Sequence, residues 1–207
     1  MLSLHTYTKY VQMGRAIIQN TKEQILSEAR RVFERFGYTK TSMADIAIAA
    51  RKGRRTLYTY FISKEEVFKA VIKIEVDAVI IQLRENLDSK LPPAEKLKAH
   101  MHLRMNAVRD LTLYYDAMRQ ELKENLGLIE NVRVEYDEME REMIEQILNE
   151  GVELNHFDIT NTSMVAGAIV LATKGFELPL YMGQPDYSPT DLIDPLMQLF
   201  YRGILKH

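Results

Sequence analysis

The chain has 207 residues, 46% of them hydrophobic, and a formal net charge of -2. That is enough apolar material for a buried core in one two-part unit or two small domains, and it excludes a disordered tail. No apolar run reaches the roughly 20 residues of a bilayer span, the first fifteen residues lack the pattern of a secretory signal, and cysteine is absent. A cytoplasmic location without membrane contact is therefore expected, and disulfides, thiolate catalysis and cysteine-held metals are excluded. The charge is divided unevenly. Residues 1–64 carry 12 Lys and Arg against 4 Asp and Glu, a net of +8; residues 65–207 carry 15 against 25, a net of -10. A basic head on an acidic body is the footprint of a polyanion-binding module joined to a part with another task.

In chain order, residues 1–20 read as a loosely ordered extension, since Lys9 and Arg15 are too few for a basic arm. Ile25, Leu26, Ala29, Val32, Phe33 and Phe36 recur at helical spacing, opened by a capping pair, Thr21 with Gln24, and stopped by Gly37. The same device, Ser42 with Asp45, opens a short helix over 42–50. A third helix spans about 54–61. Ser63 with Glu66 starts a long fourth one carrying Phe68, Ile72, Val76, Val79, Leu83 and Leu87.

Pro92 and Pro93 punctuate the chain, and a stripe through Leu97, Met101, Met105, Val108, Leu111 and Tyr115 predicts the next helix. Another runs over 128–148 and stops near Gly151; a further one follows from 158–162 to Phe176. Pro179, Gly183, Pro185 and Pro189 crowd the connection to a last helix over 190–205. No period-two alternation or repeat appears, so the fold class is all-α, with about nine helices.

Two short helices joined by a tight turn, with another packed behind, let one helix project into a major groove about 12 Å wide. The stretch Arg51-Lys52-Gly53-Arg54-Arg55-Thr56-Leu57-Tyr58-Thr59-Tyr60-Phe61 suits that role. Lys52, Arg54, Arg55, Thr56 and Thr59 reach bases or phosphates, Leu57 and Phe61 face inward, and Tyr58 and Tyr60 offer hydroxyls to the backbone. Gly53 is a further candidate DNA contact. Lys64 with the first amides of the fourth helix, and Thr41 with Ser42 at the second, are candidate phosphate contacts.

At Thr41-Ser42-Met43-Ala44-Asp45-Ile46-Ala47 and Thr56-Leu57-Tyr58-Thr59-Tyr60-Phe61-Ile62-Ser63-Lys64-Glu65-Glu66 the chain resembles the TetR family of bacterial helix-turn-helix regulators. The likeness covers about the first third of the chain. It implies a helix-turn-helix domain over 21–66 and a helical ligand-binding and dimerisation domain over 67–207. It further implies a homodimer on double-stranded operator DNA, acting as a repressor released by a small-molecule effector. An activator, or a scaffold that no longer binds DNA, is the alternative with the same fold. Four positions depart from the family pattern: Arg51 and Arg55 replace glycines, Lys52 an apolar residue and Gly53 the cap serine. An Arg in a left-handed turn costs roughly 1–2 kcal/mol relative to Gly if that conformation is kept.

By the same resemblance, the effector cavity belongs among the middle helices. His100, Met101, Arg104, Met105, Tyr115 and Met118 are its candidate lining, with His100 and Arg104 suited to a carboxylate-bearing ligand or to pairing with a neighbouring Glu. Ser163, Ala166, Gly167 and Val170, with Ile193, Leu196, Met197, Phe200, Tyr201 and Ile204, are expected to form a dimer interface from the last two helices. Catalysis is not expected, and neither is a cofactor. A single Glu-x-x-His tetrad, Glu153 to His156, lacks the second copy a two-metal bundle needs, and no phosphate-cradling glycine loop or nucleophile elbow is present.

Overall fold

The computed structural model describes residues 4–114, 126–181 and 188–204. Eight helices and no strand are found among them: α1 (Leu4–Phe36), α2 (Met43–Ala49), α3 (Arg54–Tyr60), α4 (Lys64–Leu87), α5 (Pro93–Tyr114), α6 (Leu126–Glu153), α7 (Thr162–Tyr181) and α8 (Pro189–Ile204). No helix among the described residues is long and apolar enough to cross a membrane. The chain divides into two compact units, Met1–Ile72 and Lys73–His207.

The first unit is organised by α1. Its stripe places Ile25, Ala29 and Phe33 in a core completed by Ile46, Leu57, Phe61 and Val67, all at most 2% exposed. Phe33 meets Phe68 edge-on at 5.3 Å, and Tyr38 packs on Phe68 at 5.0 Å. These rings explain why the unit takes in the first turns of α4 up to Ile72. Two expectations are corrected here. Helix α1 begins at Leu4, so residues 4–20 are helical and Thr21 lies inside the helix rather than at its cap. Neither proline nor a cap residue with a following break interrupts that stretch, so propagation costs little once the buried part of α1 has nucleated it.

The second unit has a core of Leu97, Met101, Met105, Ile144, Ile147, Leu148, Phe157, Ala166, Ile169, Val170, Ile193 and Met197. Gly151 does not end α6, which continues to Glu153. The glycine is needed for another reason: a Cβ there would lie 2.0 Å from the Phe157 ring. Phe157 is 2% exposed, so that ring has no free space to retreat into. The stop comes at Asn155, in a left-handed conformation with φ 59, where His156 N–H donates to the Gly151 carbonyl at 2.8 Å. Pro179 likewise belongs to helix α7 and not to the connection after it. Pro189 occupies the first position of α8, where the missing N–H is harmless.

Arg104 on α5 bridges two buried carboxylates of this unit. Its Nε lies 3.0 Å from Glu140 on α6, and a terminal nitrogen lies 2.6 Å from Glu177 on α7. His100, fully buried, sits 3.5 Å from the other Glu140 oxygen. Burial pushes the Glu140 carboxyl up, but the Arg104 charge and the His100 contact outweigh it and hold the group at about 2. Nearby, Lys73 donates to the Tyr136 hydroxyl at 2.6 Å, and that hydroxyl donates to Asp77 at 2.7 Å, fastening α4 to α6.

Candidate nucleic-acid interface

Helix α2 is fixed at its start by a complete capping box. The Asp45 carboxylate accepts from the Ser42 N–H at 2.8 Å and the Ser42 hydroxyl at 2.6 Å, while the Asp45 N–H donates to Ser42 Oγ at 3.3 Å. Those bonds from Ser42 hold the Asp45 carboxyl below its ordinary range. Its end is a Schellman closure: Lys52 N–H donates to the Ala47 carbonyl at 2.9 Å and Arg51 N–H to Ile48 at 3.0 Å. Such a closure needs a left-handed residue at Arg51, and φ there is 51°. The turn has not rearranged to suit the side chain.

Helix α3 follows from Gly53, which caps it without a side-chain hydrogen bond. It buries Leu57 and leaves Arg54, Arg55, Thr56, Tyr58 and Thr59 exposed on the other faces, with Tyr60 half-buried at its end. Phe61 closes the helix into the core. Lys52 and Ser42 remain accessible beside it. The Thr59 hydroxyl donates back to the Arg55 carbonyl at 3.0 Å, which leaves its oxygen able to accept. Nineteen positions from Ile46 to Lys64 contain no acidic residue, so no carboxylate within this segment neutralises the arginines.

Two of the anticipated phosphate contacts are committed elsewhere. Thr41 is 3% exposed and its hydroxyl donates to the Gly37 carbonyl at 2.6 Å, closing the turn between α1 and α2. Lys64 donates to the Tyr38 carbonyl at 2.7 Å and sits over the Tyr38 ring at 4.2 Å. Both act as fasteners of the turn at 37–41, which spacing alone does not distinguish from surface duty. The third capping pair is shifted rather than closed: Glu66 N–H donates to Ser63 Oγ at 3.1 Å, but the Glu66 carboxylate accepts from the Ile62 N–H at 2.6 Å.

In the second unit, His100, Met101 and Met105 are fully enclosed, and Arg104 answers to Glu140 and Glu177. A carboxylate ligand for Arg104 therefore loses its motive, because the guanidinium already has two carboxylates from its own chain. Tyr115 and Met118 lie outside the described residues. Of the anticipated interface residues, Ala166, Val170, Ile193 and Met197 are buried within the single chain, while Leu196, Phe200 and Tyr201 pack partly against the same core. The Tyr201 hydroxyl donates to the Ala94 carbonyl. Helical phase is the reason: those residues line the inward face. The outward stripe is Met164, Ala168, Leu171 and Gly175 on α7, and Leu192, Pro195 and Leu199 on α8. Ser163 is exposed and accepts from Arg141 at 2.9 Å, and Gly167 is half-exposed. Of Ile204, only its place in the last turn of α8 is described.

A buried three-helix core that projects a basic, acid-free α3 from a capped α2 and a tight turn defines a helix-turn-helix DNA-binding protein. Residues 25–71 match the family model for bacterial regulatory proteins of the TetR family. Over those residues the chain is similar to the DNA-binding part of that family. It is 29% identical over 87 residues to YhgD of Bacillus subtilis, an uncharacterized HTH-type transcriptional regulator, covering 42% of this chain and 44% of that protein. It is 26% identical over 145 residues to the HTH-type transcriptional repressor KstR2 of Mycobacterium tuberculosis, covering 68% and 70%. Among solved structures, a TetR-family regulator from Pectobacterium atrosepticum superposes with a TM-score of 0.76 at 18% identity, over 93% of this chain and 98% of that one. A transcriptional regulator from Cytophaga hutchinsonii gives 0.76 at 24% identity, over 89% and 98%. The likeness to these two structures is one of fold.

Proposed function

We propose that this protein is a homodimeric transcriptional repressor that holds operator DNA through α3 and releases it when a small molecule enters the second unit. The observation that carries the reading is the amphipathic α3: Leu57 is buried, and every charged side chain of the helix faces outward. Ser42, Lys52, Gly53, Arg54, Arg55, Thr56, Tyr58, Thr59 and Tyr60 are the proposed DNA contacts. Arg54 and Arg55 suit bidentate contact with guanine or phosphate, Thr56 and Thr59 suit bases or phosphates, and the tyrosines suit the backbone. A repressor action is supported by KstR2, which carries that description.

The homodimer is assigned to the outward stripe of α7 and α8. Leu171 is 71% exposed and Leu199 69%, more apolar surface than a monomer usually leaves bare on adjacent helices. A Cβ added at Gly167 or Gly175 would meet nothing of the chain itself, so these glycines leave room for close approach by a second copy. Leu171→Arg with Leu199→Glu should yield monomers in sedimentation.

The test is binding of the purified protein to its own upstream intergenic DNA and to an unrelated duplex of equal length, across a salt series. Preferential retention with two chains per site and a steep salt slope is the expected result. Equal, weak binding to both would overturn the repressor reading for that operator. Absence of any binding at low salt would favour a scaffold that keeps the fold alone.

A further inference from the structure

Three helix ends among the described residues carry a left-handed residue, and two of them are chemically suited to it. Gly37 has φ 78 and no Cβ to clash; Asn155 has φ 59 and is among the few residue types that tolerate the conformation. The third is Arg51, at φ 51. The Schellman bonds from Arg51 and Lys52 back into α2 leave no other conformation open at that position, and a glycine would adopt it without strain.

Among the described residues nothing compensates for an arginine there. Its side chain is exposed, and among the described residues no carboxylate pairs with it. Asp45, the nearest acid in sequence, is engaged by Ser42. Arg51 also adds a like charge beside Lys52, Arg54 and Arg55, so its electrostatic environment within the free protein is repulsive as well. Backbone strain and like-charge repulsion coincide at one exposed residue of the turn that leads into α3. Both are offset only by a polyanion.

We infer that Arg51 is itself a DNA contact, its guanidinium gripping a backbone phosphate of the duplex, and that the left-handed strain is retained for that charge. The inference rests on the DNA-binding reading above and adds to it a residue outside α3. A phosphate, not a base, is its partner, because the turn stands back from the helix that enters the groove.

The test uses the full-length dimer, a synthetic mixed-sequence duplex several helical turns long, and the variants Arg51→Gly and Arg51→Lys. Arg51→Gly should raise the melting temperature of the free protein. It should also weaken duplex binding about eightfold per protomer at 0.1 M salt and lower the salt slope by about 0.9 per protomer. Arg51→Lys, which keeps the charge and the strain, should keep most of the slope and gain no thermal stability. Arg51→Gly binding with wild-type affinity and slope would overturn the phosphate contact. A melting temperature that stays the same or falls would overturn the strain that motivates it. Wild-type protein that binds no duplex at any salt would refute the DNA-binding reading, and this inference with it.

Discussion

Replacing Glu140 by Gln should destabilise the second unit in a way that depends on pH. In the folded chain the carboxylate is 3% exposed, bonded to Arg104 at 3.0 Å and faced by His100 at 3.5 Å. Lowering a carboxyl from its ordinary 4.5 to about 2 corresponds to about 3 kcal/mol of folding stability at neutral pH. Removing one member of a buried ion pair independently gives roughly 3–5 kcal/mol. Because the folded value lies below the unfolded one, this stability is fully present above about pH 4.5. It is lost as pH falls toward about 2. Urea unfolding followed by circular dichroism, on wild type and Glu140→Gln in parallel, measures the difference; the chain has no tryptophan to report by fluorescence. The gap should be about 3 kcal/mol at pH 7 and should shrink steadily below pH 4.5. A gap under about 1 kcal/mol at pH 7, or one that is the same at pH 3 as at pH 7, would refute the assignment of Glu140 as the ionised centre of this network.

Gly151→Ala should cost about 1–3 kcal/mol, since its methyl would overlap the Phe157 ring, and a Phe157→Ala background should remove most of that cost in a double-mutant cycle. Ser42→Ala should lower the stability of the first unit by about 1 kcal/mol through loss of the α2 cap, read as a fall in melting temperature without DNA. Lys64→Met should destabilise the first unit by about 1.5–3 kcal/mol, because a charged donor to the Tyr38 carbonyl is lost. A variant that kept its stability and lost only DNA binding would instead return Lys64 to the interface.

Much of the DNA-binding unit was legible because its signals are local. The Ser42–Asp45 box, the left-handed stop at Gly37 and the inward phase of Leu57 depend on residues within a turn or two of one another. Charge division along the chain was legible for a simpler reason, as it needs no geometry at all. The burial of Thr41 and the inward bond of Lys64 were missed because each looks like a surface polar group in sequence. Only the return of the chain at 37–41 brings the Gly37 and Tyr38 carbonyls within reach of them.

The sequence by itself determined the helical class, the basic reading head and the resemblance to the family, all of which rest on spacing and side-chain type. Tertiary structure alone decided which face of the last two helices is inside. On α7 and α8 both faces carry apolar and small residues, so periodicity cannot choose between them; packing buried Ala166, Val170, Ile193 and Met197 and left Leu171 and Leu199 outside. It also decided that Arg104 belongs to Glu140 and Glu177, acids 36 and 73 positions away that no local pattern connects to it. Most sharply, it decided that Arg51 keeps a glycine's conformation, because the hydrogen bonds that close α2 constrain the backbone more strongly than the side chain resists it.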